Sequence, residues 1–296
     1  MNQVRDTIPA SAAPAAVTHY ENFPVASWLC PPQLRAPIAA IYHFARTADD
    51  LADEGTDSPA QRIAALQAYG ADLQRLATED ETVMLARTAW PHIFAPLAAQ
   101  MQAWQLPKPL LADLLSAFEQ DVRMTADQAF YADGAQLQDY CRRSANPIGR
   151  LLLHLYGVND ATSLQQSDAI CTALQLINFW QDLSQDLPRG RHYLTNGDLS
   201  RHQLARSAIK PKASALTPAV RSLLAELAAQ ARRLMEQGAP LVHRLPGRMG
   251  WELRLVVQGG LCILGKLDAM QGRNLYQRVK VGKTDAPGLL WKACWM

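Results

Sequence analysis

The chain has 296 residues, of which 49% are hydrophobic and 19% charged, with a formal net charge of +2. That balance suits a globular core, and with no dense Lys/Arg block interleaved with aromatics it argues against a nucleic-acid partner. The 5 cysteines, at positions 30, 141, 171, 262 and 294, are scattered and form no C-x-x-C pair. They point to a reducing cytoplasm rather than to a disulfide framework or a zinc site.

Residues 1–18 read as a loose Ala/Pro tail without the apolar centre of a signal peptide. Beyond it apolar residues recur at three- and four-residue spacing and period-two alternation is scarce, so the expectation is an all-α, single-domain bundle over residues 19–280. Helices are expected at 33–53, 59–78, 81–104, 109–125, 134–156, 161–187, 217–236 and 249–271, with breaks at Pro31-Pro32, Asp57 to Pro59, Pro107 to Pro109, Gly157, Pro188 to Gly190 and Gly238 to Pro240. The most apolar stretch, 253–267, is interrupted by Arg254, Gln258 and Lys266 and falls short of the ~18–20 apolar residues that span a bilayer. It is expected at most to lie against a membrane. Residues 281–296 read as a second loose tail whose two tryptophans are able to dock.

Two acidic clusters stand out. In "FARTADDLADEG" (44–55), Asp49 and Asp53 are four apart, Arg46 precedes Asp49 by three, and Asp50 and Glu54 form a neighbouring pair. A solvated acidic face is the ordinary explanation, but the preceding "IAAIYHFA" is apolar nearly all round, as in a buried helix. In the second cluster Gln175, Asn178, Asp182 and Asp186 follow at spacings of three, four and four, while Leu176, Ile177, Phe179, Trp180 and Leu183 occupy the remaining circumference. A stripe this narrow suits the wall of an internal cavity; a set of satisfied buried hydrogen bonds is the alternative. Two carboxylates in such a place repel and are poorly solvated, so they need cations to stay charged together. Oxygen ligands without a His or Cys set favour Mg2+, which bridges one or two carboxylates to phosphate oxygens. The paired clusters thus point to a diphosphate site, with the apolar remainder of the cavity shielding a hydrocarbon and a carbocation from water. No G-x-G-x-x-G, G-x-x-x-x-G-K-[ST], H-E-x-x-H, G-x-S-x-G or E-x-x-H motif occurs, which argues against the common dinucleotide, nucleotide, metalloprotease, esterase and di-iron chemistries.

"DDLAD" (49–53) and "DLSQD" (182–186), with "ALQLIN" before the second, "RGRHYL" after it and "YCRRSANPIG" at 140–149, resemble the squalene/phytoene synthase family. The resemblance implies an isoprenoid-synthase-type helical bundle around a central cavity, Mg2+ dependence and ionisation of isoprenoid diphosphates. It implies that Asp49, Asp53, Asp182 and Asp186 hold the metal, with Asp50 and Glu54 as supporting candidates. It further implies that Arg46, Gln175, Asn178, Gln181 and Tyr193 contact substrate, and that Tyr140 steadies the cation or the leaving group. Read without the resemblance, Tyr140 is an ordinary core tyrosine.

There are departures from the family's pattern. Coupling members carry arginine where this chain has Gln181, two small hydroxyl residues where it has Tyr20 and Asn22, and no proline at the position of Pro147, which is expected to kink its helix at Asn146. Fewer positive and hydroxyl groups suit one diphosphate better than two. The combination resembles the family branch that expels diphosphate from presqualene diphosphate and traps the rearranged cation with water, giving hydroxysqualene. Head-to-head coupling of two farnesyl or geranylgeranyl diphosphates is the alternative chemistry, and a non-catalytic helical scaffold the alternative class. Because the substrates are lipids, peripheral contact with the inner face of a membrane is expected.

Overall fold

The computed structural model describes residues 30–76, 78–210 and 216–296, and every regular element among them is helical. The expectations for residues 1–18 and for Tyr20 and Asn22 lie outside the described residues. Helices start where a side chain takes over the first free backbone donors. Ser58 and Gln61 form a reciprocal cap on α2 (Pro59–Arg75), with Pro59 at its first position. Asp133, Asp160 and Thr217 cap α6 (Gly134–Ser144), α8 (Ala161–Gln181) and α11 (Pro218–Gly238).

Three expected helices are divided. The span 81–104 becomes α3 (Glu81–Arg87) and α4 (Pro91–Trp104), because Pro91 restarts the helix after an irregular Trp90. The span 134–156 breaks at Ala145, and α7 (Asn146–Leu155) begins with Asn146 and Pro147, where the proline needs no intrahelical donor. The span 161–187 breaks at Asp182 (φ −101°, ψ 9°), followed by the single turn α9 (Leu183–Asp186) and a 3-10 turn over Leu187–Arg189. The loose tail expected at 281–296 is instead helical over α13 (Ala286–Cys294), and a short α10 (Asn196–Arg201) was not anticipated.

The core has two halves. In one, α1 (Pro32–Asp53) packs with α2, α4 and α5 (Lys108–Ala126) around Phe44, Tyr69 and Phe94, whose ring centroids lie 4.9–6.2 Å apart. In the other, α8 is central and packs against α6, α7, α11 and α12 (Gly247–Met270). The α7–α8 contact is close enough to need Gly149, since a Cβ there would sit 2.4 Å from Ser167 Oγ and 2.6 Å from Cys171 Sγ. The inward residues of α12, including Val257, Ile263, Leu264 and Leu267, are buried in the protein, while Leu253, Leu255, Val256 and Leu261 are half-buried. Among the described residues no helix is long and apolar enough to cross a membrane.

Candidate active site

The last turn of α1 carries four carboxylates at the negative end of the helix dipole, an arrangement that costs stability unless cations sit close by. Arg46 serves three of them, at 3.1 Å from Asp49 and 2.8 Å from both Asp50 and Glu54. Asp53 is paired from across the fold by Arg191. The helix end is fixed by Arg62 of α2, which donates to the carbonyls of Ala52 (2.7 Å), Gly55 (2.9 Å) and Asp57 (3.0 Å).

Opposite, the polar stripe of α8 leads into the acidic turn. Gln175 and Asn178 are half-buried, while Leu176, Ile177, Phe179 and Trp180 pack into the core. Although the helix breaks at Asp182, the Asp186 N–H donates to the Asp182 carbonyl (2.9 Å), so the i,i+4 relation of the two aspartates survives. The chain then reverses through Gly190, whose φ of 77° suits a residue without a side chain. The Arg191 N–H donates to the Asp186 carbonyl (3.0 Å), which delivers the Arg191 guanidinium to Asp53. The α1 and α8–α9 acids thus meet across one arginine.

Behind them lies an aromatic wall. Tyr193 stacks on Phe179 (3.7 Å between centroids, 10° between planes), and Tyr140 lies 6.2 Å from Tyr193 and 6.1 Å from Phe179. Tyr140 and Tyr193 are buried, and burial pushes both phenols well above their usual range, so they are neutral donors. The Tyr193 hydroxyl donates to Asp121 of α5 (3.0 Å).

The carboxyls at this centre are hard to ionise. Burial, opposed by Arg191 and reinforced by Asp182 and Asp121, pushes Asp186 up to about 7. Burial and Asp53, opposed by Arg46, push Asp49 up to about 6. Burial, opposed by Arg191, pushes Asp121 up to about 6. Among the described residues, no group of three or more His, Cys, Asp or Glu converges as a ready-made metal cage. What converges is a set of partly compensated carboxylates on facing elements, whose charge is incomplete without a further cation.

An apolar cavity of about 100 Å3 lies among α1, α7, α8 and α12. Ile38, Leu152, Leu153, Ile170, Leu174 and Leu253 contribute to its lining. Along α1 the acids begin about 16 Å beyond Ile38, and along α8 about 12 Å beyond Leu174, at 1.5 Å per residue. Two helices therefore run from the same greasy cavity to the same acidic end.

Gln181 departs from expectation. Rather than facing the acids, its Nε2 donates to the Val279 carbonyl (2.6 Å), and the residue is buried at 9% exposure. The positive charge beside Asp182 comes from Arg278, whose Nε is 2.5 Å from Asp182 Oδ1. Arg191, Arg278 and Asp121 were not singled out from the sequence. Arg191 lies within the "RGRHYL" stretch, and Asp121 follows Leu114 and Ala117 at helical spacing on the buried side of α5.

Residues 16–285 match the family model described as squalene/phytoene synthase. A hydroxysqualene synthase from Sinorhizobium fredii is 34% identical over 245 residues, covering 82% of this chain and 77% of that protein. A presqualene diphosphate synthase from Rhodopseudomonas palustris is 29% identical over 289 residues, 96% of this chain and 98% of that one. The crystal structure of a squalene synthase from Alicyclobacillus acidocaldarius aligns with a TM-score of 0.73 at 34% identity, covering 88% of this chain and 91% of that one.

Proposed function

The chain belongs to the squalene/phytoene synthase family, a family of isoprenoid-synthesising enzymes, and from that premise we propose that it converts presqualene diphosphate and water into hydroxysqualene and diphosphate. The observation that carries the reading is the pair of acidic helix ends, under-compensated and facing each other across Arg191. The donor set fits Mg2+, because it consists of carboxylate oxygens alone and leaves the remaining ligand positions to water and phosphate. Asp49, Asp53, Asp182 and Asp186 would hold it, with Asp50 and Glu54 beside them. Bound there, the cation offsets the charge that collects on diphosphate as the C–O bond breaks.

The chain's own groups account for the rest. Arg46, Arg191 and Arg278 supply fixed positive charge around the leaving group. The bonding pair leaves with diphosphate, and the rings of Tyr140, Phe179 and Tyr193 present π faces to the resulting carbocation. The apolar cavity keeps bulk water away while the cyclopropylcarbinyl cation rearranges. One water then adds to the cation, and its proton passes to the departing diphosphate. Incubation of the protein with presqualene diphosphate and Mg2+, without nicotinamide cofactor, is expected to release one diphosphate per C30 alcohol; absence of turnover would sink the reading. The coupling alternative is supported by the 29% identity over nearly the whole length of a presqualene diphosphate synthase. It requires farnesyl diphosphate alone to yield presqualene diphosphate.

Peripheral contact with a membrane at its cytoplasmic face belongs to the same reading, and α13 is the element suited to it. Leu290 and Trp291 are exposed on this helix, as is Trp295 just beyond its end. Lys292 lies on it, Lys280 and Lys283 precede it, and Asp285 at its start pairs with Lys266 (2.6 Å). Exposed indoles with basic neighbours fit an anionic lipid surface.

A further inference from the structure

The segment that follows α12 is held against the end of α8 by side chains that bond its backbone or are bonded from it. Asn274, buried, donates Nδ2 to the Trp180 carbonyl at 2.8 Å. Gln181 donates Nε2 to the Val279 carbonyl at 2.6 Å, and Lys266 donates Nζ to the Lys280 carbonyl at 2.9 Å. Between these clamps sits Arg278, whose guanidinium is on Asp182 and whose side chain is 17% exposed. A guanidinium on a long flexible stem is held in one place only when its backbone is held, because each immobilised long side chain costs rotamer entropy. The carbonyl that Gln181 grips belongs to the residue next to Arg278.

From this geometry we infer that Gln181 is a positioning residue: it grips the Val279 carbonyl and thereby seats Arg278 on Asp182, so that the positive charge of the α8 wall comes from the segment after α12. The inference rests on the proposed diphosphate chemistry for its consequence, but its geometry stands apart from it. A glutamine suits this task because its amide N–H reaches a buried carbonyl without carrying a charge into the core. A glutamine that instead contacted the diphosphate itself would have its amide turned toward the acids, and here the amide is committed to a main-chain oxygen on the far side.

The test is a double-mutant cycle between Gln181→Asn and Arg278→Gln, read by calorimetric binding of inorganic diphosphate in the presence of Mg2+. Asparagine keeps the amide but is one methylene too short for Val279, so a folded variant is expected; its melting temperature and the amide exchange of residues 276–282 are measured alongside. Each single change is expected to weaken binding by about tenfold, the order for losing one charge-assisted hydrogen bond. The double variant is expected to bind no more weakly than Arg278→Gln alone, with exchange at 276–282 faster in Gln181→Asn than in the parent. Losses that multiply, or a Gln181→Asn protein that binds as the parent does, would overturn the inference. Turnover of presqualene diphosphate by the unaltered protein is scored separately, so the functional reading and this inference can fail independently.

Discussion

Replacing Asp186 by Asn is expected to stabilise the metal-free protein, and increasingly so as the pH rises. Burial raises the Asp186 carboxyl from 3.8 to about 7 in the folded protein, whereas the unfolded chain keeps the lower value. The folded state therefore holds this proton more tightly, and stability falls as the pH climbs from about 4 to about 7, then levels. At about 1.4 kcal/mol per pH unit, the folded carboxylate costs ~4 kcal/mol at pH 8 but only ~1.6 kcal/mol at pH 5, where it is still protonated. Asparagine mimics the protonated form at every pH. With an unfolding entropy of ~2.1 cal/mol/K per residue, or ~0.6 kcal/mol/K for this chain, the melting-temperature advantage of the variant should widen by ~4 °C between pH 5 and pH 8. The assay is a series of thermal melts with chelator present, repeated with Mg2+ and inorganic diphosphate. Under the second condition the variant's lead at pH 8 should shrink from ~4 to ~1.3 kcal/mol, because only the parent gains binding energy, ~2.7 kcal/mol at a ligand concentration 100 times its dissociation constant. A variant less stable than the parent at pH 8 without metal would refute the reasoning, since it would mean that Asp186 is already paired in the fold.

Mg2+ binding should release protons and tighten as the pH rises through about 6 to 7, where Asp49 and Asp186 give up theirs; calorimetry in buffers of different ionisation enthalpy reads this directly, and pH-independent affinity would contradict it. Tyr193→Phe should cost ~1–3 kcal/mol in denaturant unfolding by leaving Asp121 without its hydroxyl donor, and should raise the Asp121 carboxyl further, as seen by carboxyl titration in NMR. Gly149→Ala should force α7 away from α8 and lower stability by ~1–3 kcal/mol, because the added methyl would sit 2.4–2.6 Å from Ser167 Oγ and Cys171 Sγ; a neutral melt would show that the contact relaxes freely. Trp291→Ser with Trp295→Ser should abolish co-sedimentation with anionic vesicles and leave turnover of detergent-dispersed substrate unchanged; equal sedimentation with zwitterionic vesicles would speak against the charge part of that surface.

Helical periodicity was enough to state the fold class from residues alone, and two acid pairs at four-residue spacing were enough to expect a metal–diphosphate site, because both signals are local. An aspartate pair four apart on a greasy helix is costly wherever that helix lies, so Asp49, Asp53, Asp182 and Asp186 declare themselves without a partner in view. The compensating groups do not. Arg191 reaches Asp53 over 138 residues, Tyr193 reaches Asp121 over 72, and Gln181 holds Val279 over 98. A lone arginine in a loop has no periodicity to betray what it faces, and the substitution at position 181 looked like a missing charge when only the local sequence was considered. Tertiary packing decided that the charge is present, on Arg278, and that Gln181 faces the backbone beside it: a buried amide must find a hydrogen-bond partner, and which partner it finds depends on how the chain returns after α12.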